Sequence, residues 1–252
     1  MIILKNIDFF YGDTQILKNI TFDIPAGEVT TILGPSGSGK TTLLRILTGL
    51  LEPAGGEIWM REKSLMTLSK TEQEHMRNKM AIVFQNGALF DSLTVWENVA
   101  FPLHERFSMP LAIIRQEVDQ LLDLVGLQNA AELTINQCSG GMQMRVAIAR
   151  AFACHPEIIL YDEPTSGLDP IARDRICDCI QKQQFQHNVT SVLVTHQLAT
   201  AFRVSKRFIC LYAGEILFDG TADELTASKN PYVQRFIQPS KRVYRVLESD
   251  LT

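Results

Sequence analysis

Gly34-Pro35-Ser36-Gly37-Ser38-Gly39-Lys40-Thr41 fits the spacing G-x-x-x-x-G-K-[ST]. Glycines at this density let the backbone curl until successive N–H groups point inward, and such a nest binds phosphate oxygens. A helix starting near Lys40 adds the positive end of its dipole. Lys40 is placed to reach β- and γ-phosphates, the Thr41 hydroxyl suits Mg2+, and Thr42 closes the candidate cradle. A second group is Asp162-Glu163, two carboxylates at the end of the apolar run Ile158–Tyr161. A strand end beside a phosphate loop is where parallel sheets place ligands. Asp162 there would hold Mg2+ through water, and Glu163, one residue on, would face a water in line with the γ-phosphate as general base. Asn78-Lys79 is followed by Met80-Ala81, so the N-K-x-D pattern of guanine readers is absent. A third group is Cys138-Ser139-Gly140-Gly141-Met142-Gln143, in which Ser139 is a good N-cap for the helical segment that follows. The two glycines bring backbone N–H groups close to an anion, which makes a second phosphate-binding helix start in one chain. A phosphate loop already encloses its nucleotide from one side. The second anion site is therefore expected to close over a nucleotide held by another copy, in a head-to-tail dimer sandwiching two ATP molecules.

These residues need a parallel sheet to hold them. Ile20, Phe22 and Ile24 alternate with Thr21 and Asp23, so residues 2–9 and 16–24 read as half-buried strands joined by a turn at Tyr11-Gly12-Asp13. Val29–Leu33 is apolar-plus-Thr throughout, as in a strand covered on both faces. Helix is expected over Thr41–Gly49, and Gly55-Gly56 reads as punctuation. Ala81–Phe84, Ile158–Asp162 and Val189–Thr195 read as further buried strands, with helices over Ile171–Gln184 and Leu198–Val204. Residues 91–154 show only helical spacing (Val118, Leu121, Leu122, Val125, then Met142–Ala153). The expected class is α/β: a P-loop NTPase (RecA-like) core of residues 1–90 and 155–238, with an N-terminal antiparallel β subdomain and an α-helical lobe inserted at about 91–154. Residues 239–252 read as a tail outside the core, and their mixed Val/Leu and charged pattern suggests a clasp around a second subunit.

Composition narrows the function. The 252 residues are 46% hydrophobic and 21% charged, a globular mixture that excludes disorder as the main state. A net charge of −4 argues against nucleic acid as a partner. No apolar run approaches the ~18 residues that span a bilayer. Asn6 and Asp8 interrupt the N-terminal apolar stretch, so it is not read as a signal peptide. Five cysteines without paired spacing fit a reducing cytosol. Cys177 and Cys179, two apart on a helix, point in different directions and cannot share a zinc ion.

The order of phosphate loop, Gln85, S-G-G, D-E strand end, Ser166-Gly167-Leu168-Asp169 and His196 resembles the ATP-binding subunit of ABC transporters over about residues 1–230. The resemblance implies that Tyr11 stacks on adenine and that Gln85 touches both Mg2+ and a transmembrane partner. It implies that Ser139, Gly140 and Gly141 bind the γ-phosphate across the dimer and that Asp169 links the two sites. His196 would hold the γ-phosphate and orient Glu163. Two positions depart from the common signature L-S-G-G-Q: Cys138 stands for Leu and Met142 for Gln. A free thiol packs as a small hydrophobe, whereas Met142 cannot supply a polar contact to ribose or phosphate.

The S-G-G-M signature, together with Phe84–Val95 and Glu97–Leu103, looks like the MlaF branch, the ATPases of Mce-type phospholipid transporters in Gram-negative envelopes. Leu89, Phe90 and Leu93 would then line a groove for a helix of the membrane subunit. The resemblance implies a peripheral ATPase at the cytoplasmic face of the inner membrane, held by integral permease subunits. A small cytosolic regulatory domain and a periplasmic lipid-binding Mce protein would complete the assembly. Two alternatives share the catalytic residues: the ATPase of a small-solute (amino-acid type) importer, and a non-transporting ATPase regulating a membrane complex. A soluble repair or translation ATPase fits poorly, because the chain has one cassette and no heptad insertion.

Overall fold

The protein is described from a computed structural model, which covers residues 1–107 and 109–238, without the side chains of Arg106 and Phe107. The expected clasp at 239–252 lies outside the described residues. In chain order the elements begin β1 (Ile2–Tyr11), β2 (Thr14–Ile24), β3 (Val29–Leu33), α1 (Lys40–Leu47), β4 (Gly55–Met60), β5 (Lys63–Ser64) and α2 (Lys70–Arg77). Next come β6 (Met80–Val83), α3 (Val95–Phe107), α4 (Leu111–Leu124), α5 (Gly140–Phe152), β7 (Ile158–Asp162) and α6 (Pro170–His187). The chain continues through β8 (Thr190–Thr195), α7 (Leu198–Val204), β9 (Arg207–Tyr212), β10 (Glu215–Thr221), α8 (Ala222–Ala227) and α9 (Pro231–Ile237). The described residues divide into two compact units, one formed by residues 1–77 and 190–238, the other lying within 78–189.

The first unit holds two sheets. One is antiparallel, in the order β2-β1-β4-β5. Ile2, Leu4, Ile7 and Phe9 of β1 and Ile20, Phe22 and Ile24 of β2 are buried, as the alternation predicts. Asn6 and Asp8 interrupt the apolar run because the β1–β2 register shifts there. Asn6 takes a left-handed backbone (φ 53°) and its N–H donates to Thr21 Oγ1 (2.8 Å). Asp8 Oδ1 accepts from Asn19 N at 3.0 Å. Tyr11 belongs to the strand and not to the turn, which is only Gly12-Asp13. Gly55-Gly56 opens β4 and does not break the chain. A Cβ at Gly56 would sit 2.3 Å from the Asn6 carbonyl oxygen, so glycine is needed where β4 crosses β1.

In the second sheet of this unit β3 lies between β8 and β9, parallel to both, and β10 runs antiparallel to β9. Every residue of β3 and of β8 is buried, which is why both read as unbroken apolar-plus-Thr runs. Leu198, Ala201, Phe208, Leu225, Val233 and Ile237 pack with Leu33 in one cluster that seats α7, α8 and α9. Arg207 helps tie the two sheets together: from β9 it donates to both carboxylate oxygens of Asp23 on β2 (3.0 Å each) and to those of Asp219 on β10 (2.8 Å each).

The second unit contains the parallel pair β6–β7, in register from Met80↔Ile158 to Val83↔Tyr161, together with α3 to α6. Among the described residues of 91–154 there is no strand, only an isolated bridge between Thr94 and Thr134. Pro102 lies inside α3. Arg145 of α5, buried, donates from Nη1 to the carbonyls of Val125 (2.8 Å) and Gly126 (3.0 Å), satisfying acceptors past the end of α4. The architecture is the α/β P-loop NTPase class, with an antiparallel β subdomain at the N-terminus and an inserted helical segment.

The Arg207 contact has a pH signature. Its hydrogen bond and charge hold the Asp23 carboxyl below the ordinary aspartate value. The stability this contributes is present above the unfolded-state pKa of about 4 and is lost as pH falls through the lowered native value. Arg207→Ala is expected to cost about 1–2 kcal/mol at neutral pH, discounted for partial exposure. Urea unfolding of both proteins at pH 7 and below pH 4 should show the difference shrinking in acid.

Candidate functional site

The phosphate loop runs from the end of buried β3 into α1. Gly34 lies so close to β9 that a Cβ would stand 2.2 Å from the Leu211 carbonyl oxygen and 2.6 Å from Ser38 Oγ. The turn after β9 is bonded to the loop, since Gly214 N donates to Ser38 O at 3.3 Å. The same Gly214 accepts from Lys18 N at 2.8 Å through its carbonyl, so β2 and the phosphate loop share one support. Lys40 is buried, with Nζ donating to the carbonyls of Gly34 (2.9 Å) and Pro35 (3.0 Å). The lysine thus spans its own loop from the inside. Ser38 Oγ is buried and finds no hydrogen-bond partner among the described residues, and the first turn of α1 carries no acidic residue. An orphaned hydroxyl, a buried ammonium and a helix start without carboxylates together fit a bound phosphate chain. Pro35, Ser36, Gly37 and Thr41 are exposed, and Thr42 is half-buried.

Two further candidates lie in this unit. Tyr11 is 46% exposed at the end of β1, and its ring is held edge-on by Phe9 (centroids 4.9 Å apart, 85°). His196 is exposed directly after β8, the parallel neighbour of β3.

The second unit gathers the others. Asp162 is the last residue of β7 and Glu163 the next, both buried. Glu163 has φ 51°, a left-handed conformation that glutamate adopts only when its surroundings enforce it. The Glu163 carbonyl accepts from Ser166 N at 3.1 Å, and Ser166 Oγ lies 3.5 Å from Gln85 Nε2. Gln85 follows β6, so the carboxyl ends of a parallel strand pair bring Gln85, Asp162 and Glu163 to one edge.

Ser139 caps α5, accepting from Met142 N at 3.3 Å, as its type and position predict. Ser139 and Gly140 are exposed. Gly141 is there for packing as well: a Cβ would come within 2.8 Å of Ala172 Cβ on α6. Asp169 caps α6, with Oδ1 accepting from Ile171 N (2.9 Å) and Ala172 N (3.0 Å). Asp169 and the S-G-G segment are therefore neighbours, a placement the sequence did not disclose. Cys138 is buried, its Sγ directed at the Thr134 carbonyl (3.5 Å), and burial pushes its thiol pKa up. It packs in place of the usual leucine as an unreactive thiol.

Within the second unit Gln85 and Asp162 carry hard oxygen donors at the carboxyl ends of β6 and β7. Among the described residues no group of three or more His, Cys, Asp or Glu side chains could hold a metal by itself. Among the described residues no helix is long and apolar enough to cross a membrane. Three contributors to this geometry were missed at the level of sequence: the Leu211–Gly214 turn, Asn98 and Arg150.

The family profile described as ABC transporter matches residues 17–166. The intermembrane phospholipid transport system ATP-binding protein MlaF of Haemophilus influenzae is 37% identical over 238 residues, covering 94% of this chain and 90% of that protein. The spermidine/putrescine import ATP-binding protein PotA of Thermotoga maritima is 40% identical over 235 residues, covering 93% of this chain and 62% of PotA. Among solved structures, the dimeric post-hydrolysis state of the ATP-binding cassette MJ0796 bound to ADP and Pi superposes with a TM-score of 0.79 at 36% identity. The match covers 88% of this chain and 98% of that one. Phosphate loop, S-G-G helix start and D-E strand end thus come together with a match over more than half the sequence, and the chain belongs to the ABC transporter family as an ATP-binding, ATP-hydrolysing subunit.

Proposed function

We propose that two copies of this chain close head to tail over two ATP molecules and power phospholipid trafficking between the inner and outer membranes. The observation that carries the reading is the Ser139-capped start of α5, exposed and separate in sequence from a complete phosphate loop. One copy has two anion-binding elements, and a nucleotide needs both. Support for dimer closure comes from the MJ0796 cassette, a dimer bound to ADP and Pi. Support for the lipid cargo comes from MlaF, which matches over nearly the full length of both chains.

In this cycle Tyr11 stacks on the adenine and the loop Gly34–Lys40 wraps the phosphates, with Thr41 and Thr42 at its close. Thr41, Gln85 and Asp162 would hold Mg2+, which would supply positive charge against the phosphates. On closure Ser139, Gly140 and Gly141 of one copy meet the γ-phosphate held by the other, and water is excluded except for the attacking molecule. Glu163 takes its proton while His196 donates a hydrogen bond to the γ-phosphate and orients Glu163. Asp169 connects the two sites. ATP favours the closed state by binding it more tightly, and hydrolysis removes that difference. Gln85 and the segment after it, with Leu89, Phe90 and Leu93, pass the change to a helix of the integral permease. The chain then works as a peripheral subunit on the cytoplasmic face of the inner membrane. A regulatory domain and a periplasmic Mce protein complete the proposed assembly.

A second reading, the ATPase of a small-solute importer, is favoured by the comparable identity to PotA. Affinity purification from detergent-solubilised membranes separates the two. An integral permease with co-purifying phospholipid supports the lipid reading, and a solute-binding protein without lipid replaces it. For the chemistry, Glu163→Gln is expected to keep ATP binding and dimer closure while turnover falls on the order of 10²- to 10⁴-fold. Lys40→Ala is expected to lose nucleotide binding itself. ATPase rates and nucleotide-dependent sedimentation check both, and equal turnover in wild type and Glu163→Gln removes Glu163 as the base.

A further inference from the structure

We propose that Arg150 is a positioning residue that makes the loop after Gln85 move with the helix whose start bears Ser139 and Gly140. The inference rests on the reading that this helix start contacts nucleotide. Arg150 lies three turns along α5 from Ser139, roughly 16 Å at 1.5 Å per residue. Its guanidinium donates two hydrogen bonds to the loop: Nη2 to the Gly87 carbonyl (2.7 Å) and Nη1 to the Ala88 carbonyl (2.8 Å). The same group sits 5.9 Å from the centre of the Phe90 ring. Ala88 has φ 48°, a conformation unfavourable for alanine, so its carbonyl is held where the arginine needs it. A Cβ on Gly87 would lie 3.3 Å from Ala147 Cβ, which puts the loop directly on α5.

The far end of the loop is fixed just as firmly. Asn98 of α3 is fully buried, and its side chain replaces a missing turn of backbone pairing. Oδ1 accepts from Phe90 N (2.9 Å), and Nδ2 donates to the carbonyls of Phe90 (3.1 Å) and Thr94 (2.9 Å). Phe90 also packs on Phe101 of α3, ring centres 4.7 Å apart. Residues 87–94 are therefore a bracket clamped to α3 and α5. A displacement of α5 at its N-terminus is delivered to Gly87-Ala88 and Phe90 by the arginine. Two parallel N–H···O=C bonds from a planar fork transmit direction as well as position, which a lysine cannot do.

Hydrogen exchange on the full chain carrying Glu163→Gln, with and without MgATP, tests this. The parent is expected to gain ATP-dependent protection both at residues 139–145 and at 86–94. Adding Arg150→Met should leave the first and reduce the second by about threefold or more, within the range of coupling energies known for such residues. An arginine that is only structural would alter the nucleotide-free exchange of the loop without touching its response to ATP. If Arg150→Met does not fold, Arg150→Lys is read instead: it keeps charge and stem, lacks the planar fork with its two fixed donors, and should weaken the loop's response. Undiminished ATP protection of 86–94 in the folded variant overturns the proposal. Absence of protection at 139–145 in the parent overturns the nucleotide-contact reading, and this inference falls with it.

Discussion

A phosphate held by bare backbone requires that no side chain intrude, and this protein meets the requirement by pressing its phosphate loop against neighbouring main chain. The carbonyl of Leu211 occupies the space where a Cβ on Gly34 would stand. The loop is thus shaped from outside by β9 and the turn at Gly214, and from inside by the Lys40 ammonium bonded to two loop carbonyls. The rest of the first unit follows from this. Strand β3 must be buried on both faces to bring the loop to its support, and β2 must lie against the same turn. Arg207 keeps the two sheets that meet there from drifting apart.

The second unit works by a different device. Polar side chains from its helices reach out to fix loop carbonyls: Arg145 after α4, Arg150 and Asn98 in the segment after Gln85. A guanidinium or amide bonded to two or more loop carbonyls favours one backbone arrangement, since any other leaves polar groups unpaired. That gives rigidity to stretches that carry no regular secondary structure.

What could be read in the sequence was local. The phosphate loop, its strand and helix, the Ser139 cap and the helical character of 91–154 all depend on neighbours within a few residues, and each stood where expected. What escaped depends on distant partners. Gly55-Gly56 looks like a chain break because nothing near it shows that the Asn6 carbonyl lies against Gly56. Tyr11 reads as part of a turn because nothing local shows that Gly12-Asp13 alone suffices to reverse the chain. Arg150 lies in a largely apolar stretch of α5, and its partners are carbonyls some sixty residues earlier. The left-handed backbone of Glu163 is written in no residue type at all.

Asp169 bears on how easily two such molecules could meet. One oxygen of its carboxylate is already engaged by the amides of Ile171 and Ala172, so the group is oriented before any encounter. A side chain free to rotate would surrender that freedom on contact, and the loss would weaken association. Here the disorder has been removed during folding, and the exposed carboxylate is a ready-made hydrogen-bond acceptor with little entropy left to lose.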